Sequence, residues 1–242
     1  MGERASMAAL GRSQGNELPL EDIANPLIVS ALSAVVSAWN YLRADPSHSM
    51  DILTDDEAHI TYQVAEVLEH IRRGRLGPRG AFNESNFETP TTAEELKNYD
   101  GSTLAKRPDI VIRPRKSPPG TVYSRYWALF FEAKIIADTK LLRYGSDGIV
   151  RFVKGDYAWA IRQGFMLGYI RENRWDAESG LATLFKKKAK GVGVWSPKHN
   201  RVDSWAPNSQ VHTCQTVHRR NWKYPEQNSN PGDIHLIHLW LK

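Results

Sequence analysis

The chain reads as an α/β or α+β sandwich, a central β-sheet flanked by helices. Three observations predict it: helical periodicity before residue 74, a nearly continuous apolar run WALFFEAKII at 127–136, and strand-like runs at 211–219 and 234–241. Helices, strands, a helix and more strands in that order are satisfied by packing helices over one sheet. At 242 residues the chain has room for one large domain or two small ones. Its 41% hydrophobic and 24% charged residues are ordinary globular values.

Residues 1–18 are polar and small and read as disordered. Over 26–43, Leu27, Ile28, Ala31, Leu32, Val35, Val36, Trp39 and Leu42 recur at three and four, which predicts a core-facing helix. The turn-forming Asp45-Pro46-Ser47 follows it. We expect 1–50 to be an N-terminal extension carrying one helix, with the domain proper at 51–242. The next helix is expected over 55–73, stopped at Gly74, with Thr54 as N-cap and Glu57 completing a capping box. Its apolar stripe is Ile60, Val64, Val67, Leu68 and Ile71. At about 100° per residue, Glu57 falls roughly 40° from the stripe's centre, whereas Glu66 and Glu69 fall roughly 140° and 160° away.

Residues 74–99 read as loop, followed by a strand over 106–113. The run at 127–136 has the composition of a central buried strand, interrupted by Glu132 and Lys134. A buried strand tolerates such charges when they are paired or hold metal. A largely buried helix is expected over 156–171, with Gln163 on its inward surface, and an amphipathic helix over 181–190 ending in a basic cluster.

The net charge of +5 suits a polyanionic partner. The single cysteine, Cys214, excludes an intrachain disulfide framework and a Cys-rich zinc module, and fits a reducing compartment. No continuous apolar run reaches the roughly 20 residues of a membrane helix, and no secretory signal is evident, so the expectation is a cytoplasmic protein with no membrane partner.

The chemistry concentrates in Pro108-Asp109 and, with 22 residues between Asp109 and Glu132, in Glu132-Ala133-Lys134. An acid at one strand end facing an acid-x-lysine triplet on the next can bind a divalent metal and activate water against a phosphodiester. Asp109, Glu132 and the Ala133 carbonyl would be ligands. Lys134 shares a strand face with Glu132 and can orient or help deprotonate the water. Glu57 would complete the site or simply cap its helix.

Other signals stay open. His212, Cys214 and His218 read as strand polar groups or as a metal site lacking a fourth ligand at zinc spacing. His218 with Arg219 and Arg220 can contact a phosphate. Lys186, Lys187, Lys188 and Lys190 read as a solvated face or as a phosphate-backbone patch. The pairs Trp195/Trp205 and Trp222/Tyr224 suit packing better than base stacking.

The Asp109…Glu132-Ala133-Lys134 pattern resembles the PD-(D/E)XK nuclease superfamily. The run LLRYGSDGIVRFVKGDYAWAIRQGFMLGYI and the closing strands resemble bacterial members of the restriction and phage-defence type over about 51–242. The 22-residue separation is longer than in compact members. The resemblance implies a restriction-endonuclease-like core and a Mg²⁺- or Mn²⁺-dependent nuclease, with DNA as the expected substrate and antiviral defence as its setting. It implies catalytic roles for Asp109, Glu132 and Lys134, with Glu57 assisting and Gln163 as the glutamine after the motif. It also implies a homo-oligomer or a subunit of a defence complex. The alternative is an inactive nucleic-acid-binding subunit of a larger assembly on the same fold.

Overall fold

The computed structural model describes residues 17–44, 51, 53–77, 80–103, 106–116, 122–137, 141–171, 177–186, 203–204 and 213–242. Two helices come first, α1 (Asn25–Ala44) and α2 (Glu57–Arg72), then three strands, β1 (Thr91–Thr92), β2 (Ile110–Ile112) and β3 (Leu129–Ile136). A composite helix follows: α3 (Leu141–Arg143) runs through a π-helical turn, Tyr144–Ile149, into α4 (Val150–Lys154). The chain continues with β4 (Gln163–Ile170), α5 (Ala177–Lys186), β5 (Asp203–Ser204), β6 (Thr213–His218) and β7 (Ile234–Leu241).

The strands form one seven-stranded mixed sheet in the order β1-β2-β3-β4-β7-β6-β5. β4 is parallel to both neighbours, β3 and β7, and the other pairs are antiparallel. Helices cover the sheet, as the α/β expectation requires, and β3 is the buried central strand expected at 127–136.

The helix expected over 156–171 is instead a turn followed by β4. A run such as QGFMLGYI has no polar face, and without one periodicity cannot separate a buried helix from a strand with parallel neighbours on both sides. The glycines carry the missing signal. A Cβ at Gly164 would lie 2.6 Å from Phe152 Cδ1, and one at Gly168 would lie 2.5 Å from Trp240 Cε3. Both glycines let aromatic rings press onto the strand, whereas two glycines four apart would weaken a helix.

Helix α1 belongs to the same core as the sheet. Trp39 stacks on Tyr169 of β4 with ring centroids 5.4 Å apart, and its indole N–H donates to the Lys242 carbonyl at 2.8 Å. The division expected at residue 50 thus falls after a helix that is packed into the body. By length and composition α1 could cross a membrane, although polar residues interrupt its apolar positions. Here its Ile28, Leu32, Val35 and Trp39 are buried against the rest of the chain.

Helix α2 starts at Glu57, two residues later than expected. Asp56, not Thr54, is its N-cap, accepting from the His59 amide at 2.8 Å. Thr54 instead donates its hydroxyl to Asp51. This releases Glu57 from a capping box and leaves its carboxylate to face β3. At the other end, Gly74 takes a positive φ of 66° as the helix stops. Of residues 1–18, expected to be disordered, 1–16 lie outside the described residues, while the Leu18 amide donates to Gln227 Oε1 at 3.2 Å.

Candidate active site

Asp109 directly precedes β2. The register pairs Ile110 with Phe131, so Asp109 comes to lie beside Glu132 on β3. Its amide donates to the Phe131 carbonyl at 3.0 Å, and its Oδ2 accepts from the Ala133 amide at 2.7 Å. The 22 intervening residues therefore do not separate the two acids in space. Strand alternation puts Glu132 and Lys134 on one face, and α2 brings Glu57 to the same place.

Lys134 Nζ is the centre of this cluster. It donates to Glu57 Oε1 at 2.7 Å and to the Ala133 carbonyl at 2.6 Å. Glu132 Oε1 is 2.8 Å away and Asp109 Oδ2 3.9 Å. Glu57 Oε2 also accepts from the Ile135 amide at 3.2 Å, which fixes the helix start against β3. The expectation that Asp109, Glu132, Ala133, Lys134 and Glu57 converge is met in position.

Glu132 is fully buried. Its Oε2 accepts from the Tyr157 hydroxyl and lies 3.3 Å from Arg151 Nη1. Its Oε1 makes no aligned hydrogen bond and is held by charge alone, between Lys134 and Arg151. Burial, and then the charge of Asp109, push its carboxyl up to about 7. Burial also raises Asp109, against the pull of Lys134. For Lys134, burial acts downward, but Glu132, Asp109 and Glu57 outweigh it and hold the ammonium charged above its ordinary range. Tyr157 is held protonated by burial and by the neighbouring Glu132.

Arg151 and Tyr157 were not foreseen. The signal available was indirect: a glutamate within an apolar strand needs more compensation than one lysine two residues away. Gly148 in the π-helical turn belongs to the same construction. A Cβ there would meet Met166 Cε at 2.6 Å and Glu132 Cγ at 3.7 Å, so glycine lets the helix close over Glu132. Beyond the buried cluster, Glu57 and Lys134 open into a cleft of ≈ 540 Å³ that Arg143, Asp147, Arg151 and Arg171 also line.

Other expected site residues lie elsewhere. Gln163 opens β4 and clamps the N-terminal segment, accepting from the Ile23 amide at 2.8 Å and donating to the Ile23 carbonyl at 3.3 Å. This corrects its assignment to the site, because the helix assumed for it is a strand. His218 is buried, bonded to Thr216 Oγ1 at 2.7 Å and edge-on to Phe185, so it is not a surface phosphate contact. Arg220 is buried as well. Its guanidinium gathers backbone carbonyls, among them Ile161 at 3.0 Å, Pro231 at 2.6 Å and Gly232 at 2.9 Å. Alternation alone could not tell these buried polar anchors from a basic surface patch.

Arg220→Leu is therefore expected to lower stability by about 3 kcal/mol or more, since buried carbonyls lose their donor. Urea unfolding checks this, and nucleic-acid affinity of the folded fraction should not change. Trp222 packs on Tyr99 with centroids 4.2 Å apart, consistent with a packing role. Cys214 is buried and accepts from Trp240 Nε1 at 3.4 Å. Lys186 ends α5, while Lys187, Lys188, Lys190, His212, Trp195 and Trp205 fall outside the described residues.

Among the described residues no group of three or more His, Cys, Asp or Glu side chains is spaced as a ready metal site. The packing gives the reason: the Lys134 ammonium stands in the middle of the acids. The donor chemistry nevertheless suits a hard divalent cation, with three carboxylates and one carbonyl oxygen surrounding a single positive charge. No family model, curated protein or solved structure matches the chain.

Proposed function

We propose that the chain is a divalent-metal-dependent phosphodiesterase acting on nucleic acid, a nuclease of the PD-(D/E)XK type on a restriction-endonuclease-like core. One observation carries this reading. Asp109 Oδ2, Glu132 Oε1, the Ala133 carbonyl and Glu57 Oε1 surround Lys134 Nζ within 3.9 Å, at the edge of a cleft lined by both arginines and acids. A buried cluster of like charges is costly. It needs a function that a simple salt bridge would not.

Asp109, Glu132, the Ala133 carbonyl and Glu57 would hold Mg²⁺ or Mn²⁺, which would polarise the phosphate and acidify a bound water. Lys134 would swing outward from the position it holds here, keeping its positive charge near the phosphate. As packed, its ammonium is too firmly held by three acids to act as a base. Its first role is therefore to hold the acids together before metal arrives, and its second is to orient water afterwards. Tyr157 fixes Glu132 through Oε2, so that Oε1, between Lys134 and Arg151, is the atom presented. DNA is the expected substrate, as the resemblance implies, and bacterial antiviral defence in the cytoplasm its expected setting.

The test is Mn²⁺ binding by calorimetry. The wild-type chain should bind, and Asp109→Asn should bind at least tenfold more weakly, because a neutral amide replaces a charged ligand. Equal affinities would exclude Asp109 as a ligand. The central placement of Lys134 also favours a second reading, a non-catalytic nucleic-acid-binding subunit in which the lysine is a permanent counter-ion. That protein would bind nucleic acid in a salt-sensitive way, indifferent to metal.

A further inference from the structure

The cleft beside the acids is lined by arginines that the motif does not include. Arg143 and Arg151 flank the π-helical turn Tyr144–Ile149, and Asp147 lies within it. In an unbroken α-helix, positions 143, 147 and 151 would drift by about 40° at each step. The wider π turn counters that drift, and all three residues line the same cleft. Gly148 completes the arrangement by letting this turn sit against Met166 and Glu132. The fourth wall is Arg171, at the end of β4. Its amide donates to the Ile136 carbonyl at 3.2 Å and its guanidinium to the Asp55 carbonyl.

We propose that Arg143 and Arg171, with Arg151 behind them, form a subsite for a backbone phosphate of nucleic acid adjoining the Lys134 cluster. The proposal rests on the phosphodiesterase reading for its location. It adds the residues that would hold the polymer and the chemical class they would take. Planar guanidinium groups match phosphate oxygens in a two-point fashion that lysine cannot reproduce. Arg151 is already committed to Glu132 and is half-buried, so it supplies field and rigidity. Arg143 is exposed at the cleft mouth, and its charge is available to a polyanion entering from solvent. The acids that line the same cleft, Asp147 on the π turn and Asp55, Asp56 and Glu57 at the start of α2, narrow the choice further. They would repel a phosphate placed near them, leaving the arginine side as the track.

The experiment measures binding in EDTA, where cleavage plays no part. Fluorescein-labelled 20-mers, one a DNA duplex and one a single-stranded RNA, are titrated with the full chain at several salt concentrations. Arg143→Gln and the double variant Arg143→Gln/Arg171→Gln are compared with wild type and with Arg73→Gln. Arg73 is a charge control at the far end of α2, paired to Glu69. For whichever probe binds, Arg143→Gln should weaken binding about tenfold. The slope of log K against log salt should fall by about one, and further in the double variant. Arg73→Gln should leave affinity and slope unchanged.

Loss equal to that in Arg73→Gln, or an unchanged slope, overturns the subsite. Failure of wild type to bind either probe overturns it too. Weakened binding in the arginine variants of a chain that never cleaves would uphold the subsite while removing the phosphodiesterase reading. Cleavage by wild type with normal binding by Arg143→Gln would do the reverse.

Discussion

Lys134→Ala is expected to lower nucleic-acid cleavage by on the order of 10²–10³-fold while raising the affinity for Mn²⁺. The two effects have one cause. Lys134 Nζ contacts Glu57, Glu132 and the Ala133 carbonyl within 2.8 Å, where it competes with a metal ion for the same oxygens. Removing it vacates those oxygens and abolishes the positive charge near the water and phosphate, an electrostatic contribution of the size seen for single preorganised donors. The metal-free variant should also be less stable by about 3–5 kcal/mol near neutral pH, because buried carboxylates lose their counter-ion. Mn²⁺ should restore much of that loss. Thermal melts with and without Mn²⁺, run beside cleavage assays, read all three. Full activity in Lys134→Ala would remove the water-orienting role. A lower metal affinity would contradict the competition.

The second large effect concerns pH. Glu132 is pushed up from an ordinary 4.5 to about 7, first by burial and then by Asp109. Between those values the folded chain holds a proton that the unfolded chain has released. Its contribution to stability is complete below about 4.5 and is lost as pH rises through about 7. The difference amounts to on the order of 3 kcal/mol. Metal-free wild type should thus melt progressively lower between pH 5 and 7.5, and Glu132→Gln should lack that component. A metal ion needs the ionised carboxylate, so stabilisation by Mn²⁺ should grow across the same window. A pH dependence identical in wild type and Glu132→Gln would show that Glu132 does not titrate there.

The parts of the fold legible in the sequence are those with a period or a composition of their own. Helix α1 and the stripe of α2 follow from spacing, and β3 from an apolar run too short for a typical helix. The angle placing Glu57 near the apolar stripe was informative, because that is the direction from which α2 meets Lys134. What failed was β4, whose run QGFMLGYI lacks a polar face, and with it the site role of Gln163. Arg151 and Tyr157 reach Glu132 from 19 and 25 residues along the chain, a proximity made by packing over Gly148. Arg220 and His218 were legible as polar residues near a strand end. Their burial against carbonyls and Thr216 is a tertiary fact that no local pattern carries. Lys134 illustrates the same limit in the other direction: its place on the strand was readable, but not its position at the centre of the acids.

The most direct test is cleavage. Linear, circular and single-stranded DNA, and RNA, are incubated with the chain in Mg²⁺, in Mn²⁺ and in EDTA, beside Glu132→Gln. At least one substrate should be cut with metal, none should be cut in EDTA, and Glu132→Gln, folded by circular dichroism, should cut none. Cutting that persists in EDTA or in Glu132→Gln would contradict the nuclease reading, as would no cutting of any substrate by a chain that binds nucleic acid equally well with and without metal.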